Sequence, residues 1–254
     1  MRPARVALLA AAITGAAVAV SADVVRGGIV RGPTTARRLA LLFTGHEFAE
    51  GAVTILDVLA AAGAKGSFFF TGDFLRRAEF APIVARVVAE GHYLGPHSDR
   101  HLLCCAWESR DRLLIGRPAF EADLLANLEL LERAGVPRRA LTHWVPAYEW
   151  WNAETAAWSR ALGLETVGFT PGTRANADYT GEADPRFVST ATILDSVRQR
   201  EAIDPDGLSG FLLLMHVGAG PGRADKLHPR FGELVSWLRS RRYDLVRVDD
   251  LLRP

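Results

Sequence analysis

Apolar and polar positions fall into blocks along this chain, and the period changes from block to block. Runs of strand length recur at residues 39–43, 66–70, 92–95, 141–145, 166–169, 210–216 and 245–248; 39–43 is apolar throughout, and 210–216 is nearly so up to its final histidine. Continuous runs of that kind suit strands buried on both faces. Between them lie stretches with helical periodicity. Ile55, Leu56, Val58 and Leu59 share one side of the first, which Gly63 closes as a C-cap. The same period returns over 82–90, 120–134, 152–162, 193–202 and 231–241. Asn152 serves as an N-cap, and Gly135 with Pro137 beyond it as a stop signal. Strands alternating with helices predict parallel βαβ units. Their number predicts an α/β fold, an incomplete and distorted (β/α) barrel of about seven parallel strands. No repeat, low-complexity tract or linker interrupts the pattern, so residues 23–254 read as one catalytic domain. In such folds the chemistry gathers at the C-terminal ends of the strands.

The first residues follow another pattern. Arg2 and Arg5 precede an apolar run over 6–20, with Ser21 and Ala22 after it. A charged start, a short apolar middle and a small-residue exit predict a signal peptide over 1–22. The run is shorter than the ~20 apolar residues of a membrane span. An uncleaved N-terminal anchor is the alternative, and would be the chain's sole contact with a membrane. Either way the protein is expected to be exported, as a secreted, periplasmic or cell-envelope component.

Charge and cysteine usage narrow the picture further. The chain has 254 residues, with 30 Lys and Arg against 29 Asp and Glu and a formal net charge of +1. No basic tract stands out, which argues against a nucleic-acid partner. Nothing marks a stable protein partner. Cys104 and Cys105 are adjacent and have no other partner in the sequence, so no disulfide framework is expected. They read as small buried residues. They follow His101 closely enough for a metal role, but their spacing is not a usual zinc pattern.

Four strand ends carry residues capable of chemistry: Thr44-Gly45-His46-Glu47, His97-Ser98-Asp99-Arg100-His101, Trp144 to Trp150, and Leu214-Met215-His216. His97 and His101 are four apart. On a helical turn both imidazoles would share one face and reach one metal ion. Two histidines and a carboxylate, with a position open for water, form a usual catalytic zinc set. Glu47 is the best carboxylate for the third place, and His46 the other option. Asp99 would point away from the histidine face. His216 ends the most apolar strand and precedes Gly218 and Gly220, which suits a general acid at a loop. Tyr148, Trp150 and Trp151 could stack on sugar rings, although clustered aromatics also suit a core.

These motifs resemble the polysaccharide deacetylases with a NodB-homology domain, carbohydrate esterase family 4, over residues 40–252. His97-Ser98-x-x-His101 matches the family's H-S/T-x-x-H motif, and Leu214-Met215-His216 its late L-x-H motif. Pro146-Ala147-Tyr148 is similar to the groove motif, Asp178-Tyr179 to an Asp-Trp motif, and residues 51–72 to the segment after the first motif. The resemblance implies a distorted barrel and a divalent metal held by an aspartate and two histidines. It also implies removal of N- or O-acetyl groups from chitin oligomers, peptidoglycan or xylan. His216 would be the general acid, with Asp178 tuning it.

The departures define a divergent branch. The family's first motif carries two aspartates, where this chain has Thr44 and Gly45, followed by His46 and Glu47. Val145 stands where the groove arginine is expected. On this reading Glu47 replaces the metal aspartate beside His97 and His101, and His46 serves as base. Arg174 supplies the missing positive charge. Tyr148 and Trp150 bind an acetylated carbohydrate. Zinc is the expected ion, with nickel and cobalt also suited to such ligands. The alternatives are a catalytically silent, metal-containing carbohydrate-binding domain, and another hydrolase acting on a C–N or glycosidic bond. For the last, Glu47 and Glu149 are the carboxylate pair on offer.

Overall fold

The computed structural model describes residues 22–253. The expected leader therefore lies outside the described residues, apart from Ala22. Among those described, no helix is long and apolar enough to cross a membrane. The strands are β1 Asp23–Val25, β2 Gly28–Arg31, β3 Arg38–Gly45, β4 Ser67–Phe70, β5 Tyr93–Pro96, β6 His143–Trp144, β7 Glu165–Thr166, β8 Leu212–His216 and β9 Asp244–Val246. The helices are α1 Ala52–Ala61, α2 Gly72–Leu75, α3 Ala81–Ala89, α4 Arg117–Arg133, α5 Ala153–Ala161, α6 Thr190–Ile203, α7 Phe231–Ser240 and α8 Val248–Leu251.

The apolar runs pair in parallel, as the βαβ pattern requires. The order is β5-β4-β3-β8, with β9 also on β3. Leu42 pairs with Ser67 on one side and Leu214 on the other, and Ala40 with Val246 and Leu212. So β4 and β9 share one edge of β3. Beyond β5 the Val145 N–H donates to the Pro96 carbonyl at 3.2 Å, which carries the wall on to β6 and β7. Bridges Ile29 to Val167 and Arg31 to Phe211 then let β2 span the gap between β7 and β8. The result is a distorted α/β barrel whose last gap is closed by an N-terminal hairpin. That hairpin, β1 with β2, is antiparallel and was not among the expected strands.

Alternation along β3 sorts its side chains. Leu39, Leu41 and Phe43 pack outward against the helices, in the same cluster as Phe68 and Phe70. Ala40 and Leu42 face inward with Phe69, Val145, Leu212 and Leu214. Thr44 continues the inward series, as does His216 on β8, and the two are register partners. Gly45 continues the outward series, and a β-carbon there would lie 2.8 Å from Phe70 Cδ1 and 2.9 Å from Val217 Cγ2. Gly45 borders the cleft at the strand end as Thr44 does, but a side chain there would press on Phe70 and Val217.

Candidate active site

The C-terminal ends of β3, β5 and β8 open into a cleft of about 810 Å³. Its lining includes Thr44, His46, His97, His101, Tyr148, Glu149 and His216. His97 is buried, at 2% exposure. Its backbone N–H donates to Asn127 Oδ1 at 2.8 Å, and its Nδ1 lies 2.8 Å from the Val145 carbonyl. A carbonyl only accepts, so Nδ1 carries the proton and Nε2 keeps a free lone pair. That second partner fixes ring and tautomer in the way metal-binding histidines are usually fixed.

His101 reaches His97 by a route that spacing did not suggest. Residues 97–101 form no helical turn; Ser98 and His101 instead take left-handed backbone, with φ of 72° and 55°. Asp123 on α4 holds this loop, accepting from Ser98 Oγ at 2.7 Å and from the N–H groups of Asp99 and Arg100 at 2.9 Å each. The ring centroids of His97 and His101 end 5.1 Å apart. Burial pushes the His97 pKa down to about 3 and the His101 pKa to about 2, so both rings are neutral in neutral solution. Asp99 does turn away, to an ion pair with Arg76.

The neighbouring positions differ from the roles the sequence suggested. The His46 ring stacks on His101 at 4.5 Å, and its Nδ1 lies 3.1 Å from Thr71 Oγ1. The Glu47 side chain is 66% exposed and approaches no closer than 4.0 Å to His46 Nε2. So His46 joins the two histidines and the Glu47 carboxylate faces water. Arg174 is exposed and lines a neighbouring hollow rather than the cleft, though Asn176, Tyr179 and Arg186 border both. Cys104 and Cys105 are buried, and burial raises the Cys104 thiol to about 12.

Opposite the imidazoles stands a hydrogen-bonded dyad. Asp178 accepts from His216 Nδ1 at 2.6 Å and from the His216 backbone N–H at 2.9 Å. Burial alone would lower the His216 pKa, but the charge and hydrogen bond of Asp178, with Glu149 beyond, raise it above the usual value. Glu149 is the partly buried carboxylate of the cleft. Burial raises it to about 7, with His216 opposing and Asp178 reinforcing the shift. It follows Tyr148 in a turn where both residues are left-handed, at φ of 60° and 50°. Two such non-glycine residues in succession cost backbone energy, and strain of this kind gathers at functional sites. Thr44 Oγ1 is buried and finds no hydrogen-bond partner among the described residues.

The fold and the cleft can now be set beside known proteins. The polysaccharide deacetylase family profile matches residues 31–167, just over half of the chain. The chain belongs to the polysaccharide deacetylase family. No curated protein sequence matches it. Among solved structures it is similar to BA3943, a CE4 family pseudoenzyme from Bacillus anthracis, with 16% identity over 91% of this chain and 70% of that one, at a TM-score of 0.69. It is also similar to the Bc1960 peptidoglycan N-acetylglucosamine deacetylase, with 20% identity over 88% and 92% of the two chains and a TM-score of 0.69. The chitin deacetylase of Colletotrichum lindemuthianum gives 19% identity over 91% and 93%, with a TM-score of 0.65. At these identities the likeness is one of fold.

Family membership raises the question whether these residues suit a divalent ion. Among the described residues no three His, Cys, Asp or Glu side chains stand close enough to hold one as placed. The donor chemistry nonetheless fits. His97 and His101 are neutral, so few protons compete for their lone pairs. His97 has its ring fixed from behind, and His46 lies against His101. Three imidazoles are an accepted zinc donor set.

Several lining residues escaped sequence reasoning. Trp107, Arg110, Phe48, Phe169 and Arg186 all face the cleft. All but Phe169, which ends the strand-like run at 166–169, sit in loops with no period to read. Trp151, considered for sugar stacking, is instead buried against Gly28 and Gly168.

Proposed function

We propose that this family member is a metal-dependent hydrolase that removes acetyl groups from an exported or cell-surface carbohydrate. The observation that carries the reading is the His216–Asp178 dyad, 2.6 Å apart, across one cleft from three imidazoles. His46, His97 and His101 would hold the ion. When bound, it would polarise the acetyl carbonyl and ease ionisation of water. The leader-like run at 6–20 supports action outside the cytoplasm.

The chain's own residues supply the proton transfers. Glu149 accepts the proton of the attacking water on its carboxylate. His216 holds a proton on Nε2 and delivers it to the leaving amine or alcohol, while Asp178 keeps Nδ1 protonated and the ring in place. Tyr148 and Trp150 offer faces for the sugar ring. In this reading His46 takes the metal-ligand role that the sequence suggested for Glu47, and Glu149 takes the base role suggested for His46, because the His46 ring lies against His101 while the Glu47 carboxylate is exposed.

Replacing His97 by alanine tests the reading directly. Metal analysis of purified protein should show the ion lost, together with acetate release from N-acetylated chitooligosaccharides or acetylated xylan. Unchanged metal content would sink the proposal.

The pH profile is a separate expectation. Base function needs ionised Glu149, so kcat/KM should rise with pH through about 7. Acid function needs protonated His216, so the rate should fall again as pH passes its raised pKa. The two groups are coupled, and the limbs belong to the pair. Glu149→Gln should remove the acidic limb and most of the activity.

A second reading has an observation in its favour. Thr44 and Gly45 bring no carboxylate to the family's aspartate positions, and one of the similar folds is a pseudoenzyme. A silent carbohydrate-binding domain would bind acetylated oligosaccharides and release no acetate at any pH.

A further inference from the structure

The aromatic wall of the cleft runs on from the imidazoles to a cation. Tyr148 packs 4.3 Å from the His101 ring, Trp107 lies 5.4 Å from Tyr148, and Trp150 lies 5.3 Å from Trp107. The Arg110 guanidinium carbon then sits 3.6 Å over the Trp150 ring. All of these residues line the one cleft. Trp107 and Tyr148 are 55% and 43% exposed, so their faces are open.

Arg110 is held in place, and the nearby charges are already taken. Its carbonyl accepts from Asn152 Nδ2 at 3.0 Å. Its loop is tied by Ala106 N–H to the Arg112 carbonyl and Leu114 N–H to the Cys104 carbonyl, both at 2.9 Å. Asp111 next to it pairs with Arg26 at 2.5 Å, and Glu108 pairs with Arg112. Arg186, also in the lining, pairs with Asp184 at 2.8 Å. Among the described residues no carboxylate forms an ion pair with Arg110. Burial and the charge of Arg26 both disfavour its cationic form, so an incoming anion would relieve that strain.

We propose that Trp107, Trp150 and Arg110 form a subsite for a carboxylate-bearing sugar unit next to the acetylated one. The apolar face of that sugar stacks on the open Trp107 indole, and its carboxylate pairs with the guanidinium fork that lies over Trp150. One uncompensated cation suits a single negative charge better than a phosphate dianion. The proposal deepens the reading of the cleft as a carbohydrate site and rests on it. It does not require turnover.

Calorimetric titration of the full chain tests it with two tetrasaccharides. One alternates N-acetylglucosamine with glucuronate; the other is N-acetylglucosamine throughout. The charged oligomer should bind about tenfold or more tighter, in line with one charge-assisted contact. Arg110→Gln should erase that difference while leaving the neutral oligomer's affinity in place, and Arg110→Lys should restore part of it. Equal affinity for the two oligomers, no binding of the charged one, or a preference that survives Arg110→Gln would each overturn the subsite. Acetate release is measured on the same samples. A preference kept without acetate release sinks the hydrolase reading alone.

Discussion

Replacing His216 with glutamine will lower acetate release by about 10²–10⁴-fold, the usual contribution of a positioned acid or base. The argument rests on where the proton can be. His216 Nδ1 is committed to Asp178 at 2.6 Å, so the proton available for delivery is on Nε2. Asp178 raises the imidazole pKa against the effect of burial, which keeps that proton in place near neutral pH. Glutamine retains the backbone N–H that donates to Asp178 Oδ2, so the loop keeps one of its two anchors. It has no proton to transfer at this pH. Steady-state assay of acetate should show kcat falling with little change in KM, and the alkaline limb of the pH profile should vanish. A variant with wild-type kcat would show that the dyad is structural. Thermal melting separates the two effects, because an uncompensated Asp178 also destabilises.

Restoring the family's second aspartate by Gly45→Asp will destabilise the protein by about 3–5 kcal/mol and will not improve activity. The β-carbon alone would lie 2.8 Å from Phe70 and 2.9 Å from Val217. The position follows Leu39, Leu41 and Phe43 in alternation, so although Gly45 borders the cleft its side chain would be built against apolar Phe70 and Val217. Gly45→Ala isolates the steric part and should cost about 1–3 kcal/mol. Urea unfolding of both variants checks the ordering. An aspartate variant as stable as the wild type would mean that this strand end turns its side chain inward after all.

The contrast between Gly45 and the histidines shows where the sequence was readable. Long apolar runs at 39–43 and 210–216 marked their strands, because burial on both faces leaves no polar positions to confuse the period. The short pair β1 and β2 went unseen, since three and four residues carry too little pattern. The histidine pair was found by a spacing argument that assumed a helical turn. The structure brings the rings together through left-handed backbone at Ser98 and His101, pinned by Asp123 from a helix 22 residues further on. Glu47 drew attention as the carboxylate beside His46, yet sequence adjacency does not tell which side of a strand end a residue leaves on. Glu149 was noted only as half of a doubtful glycosidic pair. Its place opposite His216 depends on the Tyr148–Glu149 turn, which has no local glycine to announce it.

The hairpin that closes the barrel has a consequence for how the protein is made. β2 lies near the start of the chain, yet apart from β1 its strand partners are Val167 and Phe211. During synthesis the hairpin therefore has no barrel partner for most of the chain's emergence from the ribosome. Ends so far apart also close slowly. A leading segment that must wait for the trailing one keeps the nascent protein open. Barrel closure is therefore completed only after Phe211 has emerged.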